Sequence, residues 1–188
     1  NVTPFNASQM LKKVEKAGRT CYQSELRDSS AFVRMLIKKG HESVLEHASI
    51  TIRAITDRGV THELVRHRLA SFSQESTRYV DYSKNIAFIK PNFSKENTNT
   101  QERVWLNCIK KIEDAYKELR DLGLPPQEAR SILPNALKSE IVITANLREW
   151  RHILKIRTAG DAHPAIRYLC NLILIEFKQR LPEVFNDL

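Results

Sequence analysis

The sequence predicts a mixed α/β or α+β fold packed in layers, in which helices outnumber a few strands. Apolar residues recur at helical spacing in several segments, most clearly Val104, Cys108, Ile112, Ala115 and Leu119 within residues 101–122. Alternation of apolar and polar residues is confined to short runs. Ala48, Ile50, Ile52 and Ala54 against Ser49, Thr51 and Arg53 are the clearest. Glycines and prolines fall where such elements would stop and start.

Taken in order, residues 9–17 carry a helical apolar pattern. Asp28 or Ser29 suits the cap of a helix running to Lys39, with Gly40 as its stop. Residues 46–58 read as a strand, and 61–68 as a helix. Residues 70–84 are polar without helical period, and 86–90 form a short strand candidate ended by Pro91. Residues 95–99 read as a polar loop. The long helix over 101–122 is closed by Gly123, and Pro126 opens a helix ending near Pro134. A β-branched run covers 140–145, and a helix covers 146–156. The last helix runs over 163–180, with Pro164 in its first turn and Pro182 beyond its end.

The 188 residues suit one domain, 1–188, with a core that needs no staples. The longest uncharged apolar stretch, Tyr168 to Ile175, is far short of the roughly 20 residues of a membrane span. Residues 1–16 hold no apolar core of signal-peptide type, and Asn1 in place of Met suggests numbering that starts inside the natural chain. Three cysteines without paired spacing point to a reducing cytoplasm. The net charge of +8 favours anionic partners: nucleic acid, a membrane surface or phosphorylated small molecules. That charge is dispersed, which argues against a basic tail and leaves a basic pocket open. Only 7% of residues are aromatic and no nucleic-acid motif is present, so a nucleic-acid partner is not expected. The five glycines form neither a dinucleotide fingerprint nor a P-loop.

His62-Glu63 with His67 is one residue too long for a zincin helix, since side chains at i and i+5 diverge by about 140°. His41 and His47, flanked by Glu42 and Glu46, fit no standard zinc spacing. No metal is expected. Cys108 and Cys170 sit in apolar helical patterns and read as buried and inert. Cys21 follows Arg19-Thr20, where a cation would lower its pKa, but no basic partner is evident.

The densest polar segment runs from Arg66-His67-Arg68 through Ser71, Gln74, Glu75 and Ser76 to Arg78-Tyr79. If the chain is extended there, Gln74, Ser76 and Arg78 point to one side. They then offer an amide, a hydroxyl and a guanidinium fork, suited to a phosphate and a pyrimidine edge. The same residues also suit a solvated loop with salt bridges to Glu63 and Glu75.

This segment resembles the signature of the flavin-dependent thymidylate synthases: Arg-His-Arg, two residues, Ser, four residues, Ser, one residue, Arg-Tyr. Other segments are similar in the same order. They are Arg19-Thr20-Cys21-Tyr22, His41-Glu42-Ser43 with Glu46-His47, Glu128-Ala129-Arg130 with Leu133-Pro134, and Asn146-Leu147-Arg148 followed by Arg157. The resemblance covers residues 19–185. It implies the thymidylate synthase-complementing protein fold, a small mostly antiparallel sheet flanked by long helices, in a homotetramer with active sites shared between subunits. It implies reductive methylation of dUMP to dTMP, with FAD as cofactor, NADPH as reductant and methylene-tetrahydrofolate as carbon donor, and no cysteine nucleophile.

Carried onto this sequence, the resemblance assigns FAD to Ser43, Arg66, His67, Arg68, Gln74, Asn146, Arg148 and His152, with His41 a weaker candidate. It assigns dUMP to Glu63, Arg66, Gln74, Glu75, Ser76, Arg78, Arg130 and Arg157. Arg157 would face the uracil and favour ionisation of its N3. Many members have Glu where this chain has Gln74 and Asn where it has His152, so those two roles are not carried over intact. A member that binds flavin or nucleotide without turnover is the rival reading, against which stand the intact Arg66, Arg68, Ser76, Arg78 and Arg157.

Overall fold

The computed structural model describes residues 1–21, 23–25, 27–93 and 98–188. Tyr22 of the Arg19–Tyr22 motif and residues 95–97 of the expected polar loop lie outside the described residues. The elements run α1 (Ala7–Thr20), α2 (Ser29–Lys38), a 3-10 turn (Glu42–His47), β1 (Ser49–Asp57), α3 (Arg58–Leu64) and β2 (Ala70–Gln74). There follow α4 (Thr98–Asp121), α5 (Pro126–Ala129), a second 3-10 turn (Arg130–Ile132), β3 (Lys138–Asn146), α6 (Leu147–Arg157), α7 (Pro164–Arg180) and α8 (Pro182–Phe185). The sheet is small and antiparallel, in the order β1–β3–β2, so the expected class of fold is what the chain adopts. Among the described residues no helix is long and apolar enough to cross a membrane.

The chain divides into two compact units. One comprises Asn1–Ala54, Val65–Phe72 and Val142–Leu188; the other comprises Ile55–Leu64 and Ser73–Ile141. The division falls inside each strand, so every strand supplies residues to both.

In the first unit the alternation read from the sequence decides which strand face is covered. Ile50, Ile52 and Ala54 of β1 and Ile143 and Ala145 of β3 are buried. The indole N–H of Trp150 on α6 donates to the Ile50 carbonyl at 2.9 Å, which ties helix to strand. Trp150 meets Phe177 of α7 edge-on with ring centres 5.3 Å apart, and Phe177 packs on Phe185 of α8 at 4.9 Å. Such aromatic contacts add about 0.5–1.5 kcal/mol each beyond the burial itself. Helix starts follow capping chemistry. Asp28 accepts from Ala31 N–H, Asn146 from Glu149 N–H and His163 from Ala165 N–H, while Gly40 stops α2 with φ at +72°.

In the second unit Tyr82, Tyr116, Ala129 and Leu137 form the core, with Ile86, Phe88, Leu119 and Leu124 packed on it. Gly123 ends α4 with φ at +90°, as its position after the helical pattern predicts. The expected buried face of α4 is only partly covered among the described residues: Leu119 packs on the core and Ile112 and Ala115 are half-buried, but Val104 and Cys108 are exposed, and the fully buried residue of the helix is Tyr116. Cys108 is therefore solvent-facing rather than buried, whereas Cys170 is buried as expected.

Several element boundaries differ from the sequence reading. Glu46 and His47 belong to a 3-10 turn anchored by buried Leu45, so the strand starts only where the alternation does. The helix expected over 61–68 runs Arg58–Leu64, because Asp57 Oδ1 accepts from Val60 N–H at 2.8 Å and opens it early. It ends before Arg66, so helical spacing never applied to the His62–His67 pair. β2 was not foreseen, since its serines and glutamine hide the alternation. Residues 86–90 reach only an isolated bridge, Phe88 with Leu137.

Candidate functional site

In the first unit, α6 carries most of the candidate residues. Asn146 caps it, its Oδ1 accepting from Glu149 N–H at 2.8 Å. Arg148, one position into the helix, is exposed and pairs with Glu46 of the 3-10 turn at 2.6 Å. Arg151 joins Glu42 of that turn at 3.2 Å and makes a two-pronged pair with Asp187 at 2.6 and 2.7 Å. The turn that holds Ser43, itself exposed, is thus fastened to the helix that holds Arg148. An exposed ion pair such as Arg148–Glu46 is worth about 1 kcal/mol or less, so an anionic ligand can compete for that guanidinium. Arg148, His152, Lys155 and Thr158 line a cleft of about 540 Å³ together with Arg151 and Glu42. Of these, sequence reasoning had named only Arg148 and His152 as ligand contacts.

Arg66 and Arg68 are exposed on the turn after α3, and His67 between them is buried. Arg157, at the end of α6, donates its Nε–H to His67 Nε2 at 3.0 Å across 90 positions of sequence. His67 Nδ1 faces Glu149 Oε1 at 3.6 Å, and the His152 ring stands edge-on to His67 at 5.9 Å. Burial, reinforced by the charges of Arg157 and His152, pushes the His67 imidazole down to about 4, so it is neutral near pH 7. Burial raises the Glu149 carboxyl, and the His152 charge partly opposes that. The donor atoms of His67, Glu149 and His152 lie within 4.8 Å of one another, close enough for a shared metal ion. The Arg157 bond speaks against that use. An imidazole accepting at Nε2 carries its proton on Nδ1, the nitrogen that faces Glu149.

In the second unit the polar segment leaves the sheet after Gln74. Gln74 donates its side-chain N–H groups to Thr61 Oγ1 at 2.9 Å and Ser139 Oγ at 3.3 Å. That leaves its carbonyl oxygen as the group to present to a ligand. Ser76 opens a turn: its carbonyl accepts from Tyr79 and Val80 N–H at 3.2 and 3.0 Å, and its Oγ accepts from Arg78 N–H at 3.3 Å. Gln74, Ser76 and Arg78 therefore do not share one side of an extended chain, which corrects the sequence reading. Ser76 is half-buried and Arg78 exposed. Arg130 reaches the same turn from the second 3-10 segment, with Nη1 donating to Thr77 Oγ1 at 3.3 Å. Glu75 accepts from Tyr82 Oη at 2.6 Å and from Lys138 Nζ at 3.2 Å, and Lys138 also holds Glu140 at 3.0 Å. The hydrogen bonds that Lys138 donates to Glu140 and Glu75 raise its ammonium, and burial with the Glu75 bond raises the Tyr82 hydroxyl. Sequence reasoning missed Thr61, Lys138, Ser139 and Tyr82, whose partners in the segment lie 13, 63, 65 and 7 positions away. Glu63 lies half-buried on α3.

Fold and side chains together define an α/β protein with exposed arginines and polar turns, groups whose chemistry suits anions. The family model of the thymidylate synthase complementing protein matches residues 6–183. A protein of Geobacter sulfurreducens named flavin-dependent thymidylate synthase is 38% identical over 187 residues, covering 93% of this chain and 80% of that one. Proteins of the same name from Corynebacterium diphtheriae and Mycobacteroides abscessus are 36% and 34% identical, each over 93% of this chain and 77% and 78% of theirs. The chain belongs to the thymidylate synthase complementing protein family.

Proposed function

We propose that the chain is a flavin-dependent thymidylate synthase, methylating dUMP to dTMP with methylene-tetrahydrofolate as carbon donor and NADPH as reductant. The observation that carries this reading is the Arg157–His67 hydrogen bond, which joins two distant parts of the family signature behind a set of exposed arginines. The donor set fits a dinucleotide. Arg148 and Lys155 line a cleft beside His152 whose wall also carries Arg151 paired with Glu42 and Asp187, and Arg66 and Arg68 are exposed on the turn that holds His67. Ser43, Arg66, His67, Arg68, Gln74, Asn146, Arg148 and His152 hold FAD in this reading. Bound FAD supplies hydride chemistry, which removes the need for a cysteine nucleophile.

The protein's own part is to bind, orient and polarise. Ser76 and Arg78 on the turn of the second unit, and Arg130, which reaches that turn from the second 3-10 segment, hold dUMP with Glu63, Gln74 and Glu75 in this reading. Arg66 and Arg157 add guanidinium groups to phosphate and uracil. A guanidinium at the uracil N3 edge stabilises the negative charge that builds up as C5 becomes nucleophilic. Ser76 Oγ accepts a backbone N–H, and among the described residues no basic side chain hydrogen-bonds to it, so it serves as a ligand rather than a nucleophile. Cys21 and Cys108 are exposed and Cys170 is buried in α7, all outside both groups of site residues. A homotetramer with active sites shared between subunits, in a cytoplasmic setting and without nucleic acid or metal, belongs to the same reading.

The test is an absorption spectrum of the purified protein before and after dUMP, followed by tritium release from C5-labelled dUMP with methylene-tetrahydrofolate and NADPH. A flavin spectrum that shifts with dUMP, and tritium release that needs every component, support the reading. Absence of flavin after incubation with FAD overturns it.

A further inference from the structure

We propose that Glu149 is a positioning residue: held against His67, it fixes the imidazole tautomer that aims the Arg157 guanidinium. This rests on the reading of Arg157 as the group that faces uracil. A guanidinium only donates, so the Nε–H directed at His67 Nε2 requires a lone pair there. A neutral imidazole then bears its proton on Nδ1, and Nδ1 faces the Glu149 carboxyl at 3.6 Å. With the opposite tautomer, N–H would meet N–H at Arg157 and a lone pair would meet the carboxylate at Glu149. Both contacts select the same form.

Glu149 is held in place in turn. It occupies the first turn of α6, its backbone N–H bound to the Asn146 cap, and it is only 6% exposed. His67 is 7% exposed, so most of the ring is shielded from water, and Glu149 Oε1 is the carboxylate oxygen that faces Nδ1. Because the guanidinium is planar and rigid, fixing the Nε–H direction fixes the plane of the whole group. A reacting guanidinium that loses its orientation forfeits rate rather than binding, and small displacements cost one to two orders of magnitude.

The experiment uses the full chain labelled with 15N-histidine and 15N-arginine, alongside Glu149→Gln and Glu149→Leu. The wild type should show His67 as the Nδ1–H tautomer near neutral pH, with a slowly exchanging Arg157 Nε–H. Glu149→Leu, which keeps bulk without an acceptor, should move His67 toward the Nε2–H form and lose the protected Arg157 signal. Its kcat on dUMP should fall about tenfold or more while FAD per subunit stays constant. Glu149→Gln, which keeps a carbonyl acceptor, should keep both resonances and a kcat within about threefold. An Nε2–H tautomer in the wild type overturns the proposal without any variant, even if the leucine variant fails to fold. Unchanged resonances and kcat in Glu149→Leu overturn it equally. Both resonances are read without substrate, so a protein inactive on dUMP refutes the functional reading while the tautomer still decides the role of Glu149.

Discussion

Acid should weaken the folded state through His67, by an amount that the burial of the ring sets. The imidazole is 7% exposed, and burial together with the Arg157 and His152 charges depresses it from 6.5 to about 4. As pH falls through 6.5 the unfolded chain takes up a proton at this site and the folded chain does not. The unfolded state binds more protons in that window, so stability rises with pH across it. The contribution is intact above the unfolded value and is lost as pH drops toward about 4, below which both states are protonated. At 1.36 kcal/mol per pH unit, the loss is about 2 kcal/mol by pH 5 and roughly 3 kcal/mol by pH 4. Glu149 works the other way, since its raised carboxyl takes up its proton first in the folded state. The comparison that isolates His67 is therefore urea unfolding of wild type and His67→Gln at about pH 7 and about pH 5, at one protein concentration. Glu149 is present in both. The gap between them should shift by about 2 kcal/mol toward the variant at the lower pH. A gap that stays constant to within about 0.5 kcal/mol would show that His67 is not a buried neutral imidazole.

Arg157→Ala should lower turnover on dUMP by about 10²–10³-fold, the range for loss of one charge-stabilising donor, while FAD content is retained. Near-normal turnover in that variant removes Arg157 from the chemistry. Ser76→Ala should keep measurable activity, because the hydroxyl is engaged by Arg78 N–H and no basic side chain among the described residues hydrogen-bonds to it; complete loss with intact dUMP binding would restore Ser76 as a nucleophile. Glu15→Ala should destabilise the α1–α2 connection by about 2–4 kcal/mol, read by chemical denaturation. Glu15 is buried and accepts from Arg19 Nε at 2.6 Å, Arg27 N–H at 3.0 Å and Ser29 Oγ at 2.5 Å. Burial opposes its ionisation, but the bonds from Ser29, Arg27 and Arg19 together hold its carboxyl below the usual range. A loss under about 1 kcal/mol would mean those donors find other partners.

What the sequence disclosed about this fold was what local chemistry decides. Asp28, Gly40, Gly123 and Pro164 mark helix ends because each satisfies or removes a backbone group at a terminus. β1 was legible because Ile50, Ile52 and Ala54 alternate along its inward face, with Thr56 the polar residue that ends the run. β2 was not: with Ser71, Ser73 and Gln74 in five residues, it is held by pairing with β3, some seventy positions away. The same limit touched the site. Arg66-His67-Arg68 and Ser76-Arg78 were conspicuous by composition, but the bend after Gln74 depends on backbone bonds to the Ser76 carbonyl. Glu149 carried no signal, since an acidic residue in the first turn of a helix is expected for capping alone. Lys138 and Tyr82 gain their meaning only through Glu75, 63 and 7 positions away.

Net charge illustrates the same division. The +8 of the sequence counts every arginine alike, yet the structure uses them differently. Arg151 is buried against Asp187, Glu42 and the Val184 carbonyl, and Arg120 is held by Asp81 and the Leu124 carbonyl. Arg19 is spent on Glu15 and the face of Phe32. These guanidinium groups join elements of the fold, and an external anion would have to displace partners already in good geometry. Arg66, Arg68, Arg78, Arg130 and Arg148 are exposed, and each sits in one of the segments that resemble the family signature. A partner recognised by charge alone would engage basic side chains wherever they are exposed. Exposed arginines also lie outside those segments, at Arg27, Arg34, Arg53, Arg103 and Arg180, so exposure alone does not mark the candidate site; what sets the signature segments apart is the company of Gln74, Ser76 and buried His67.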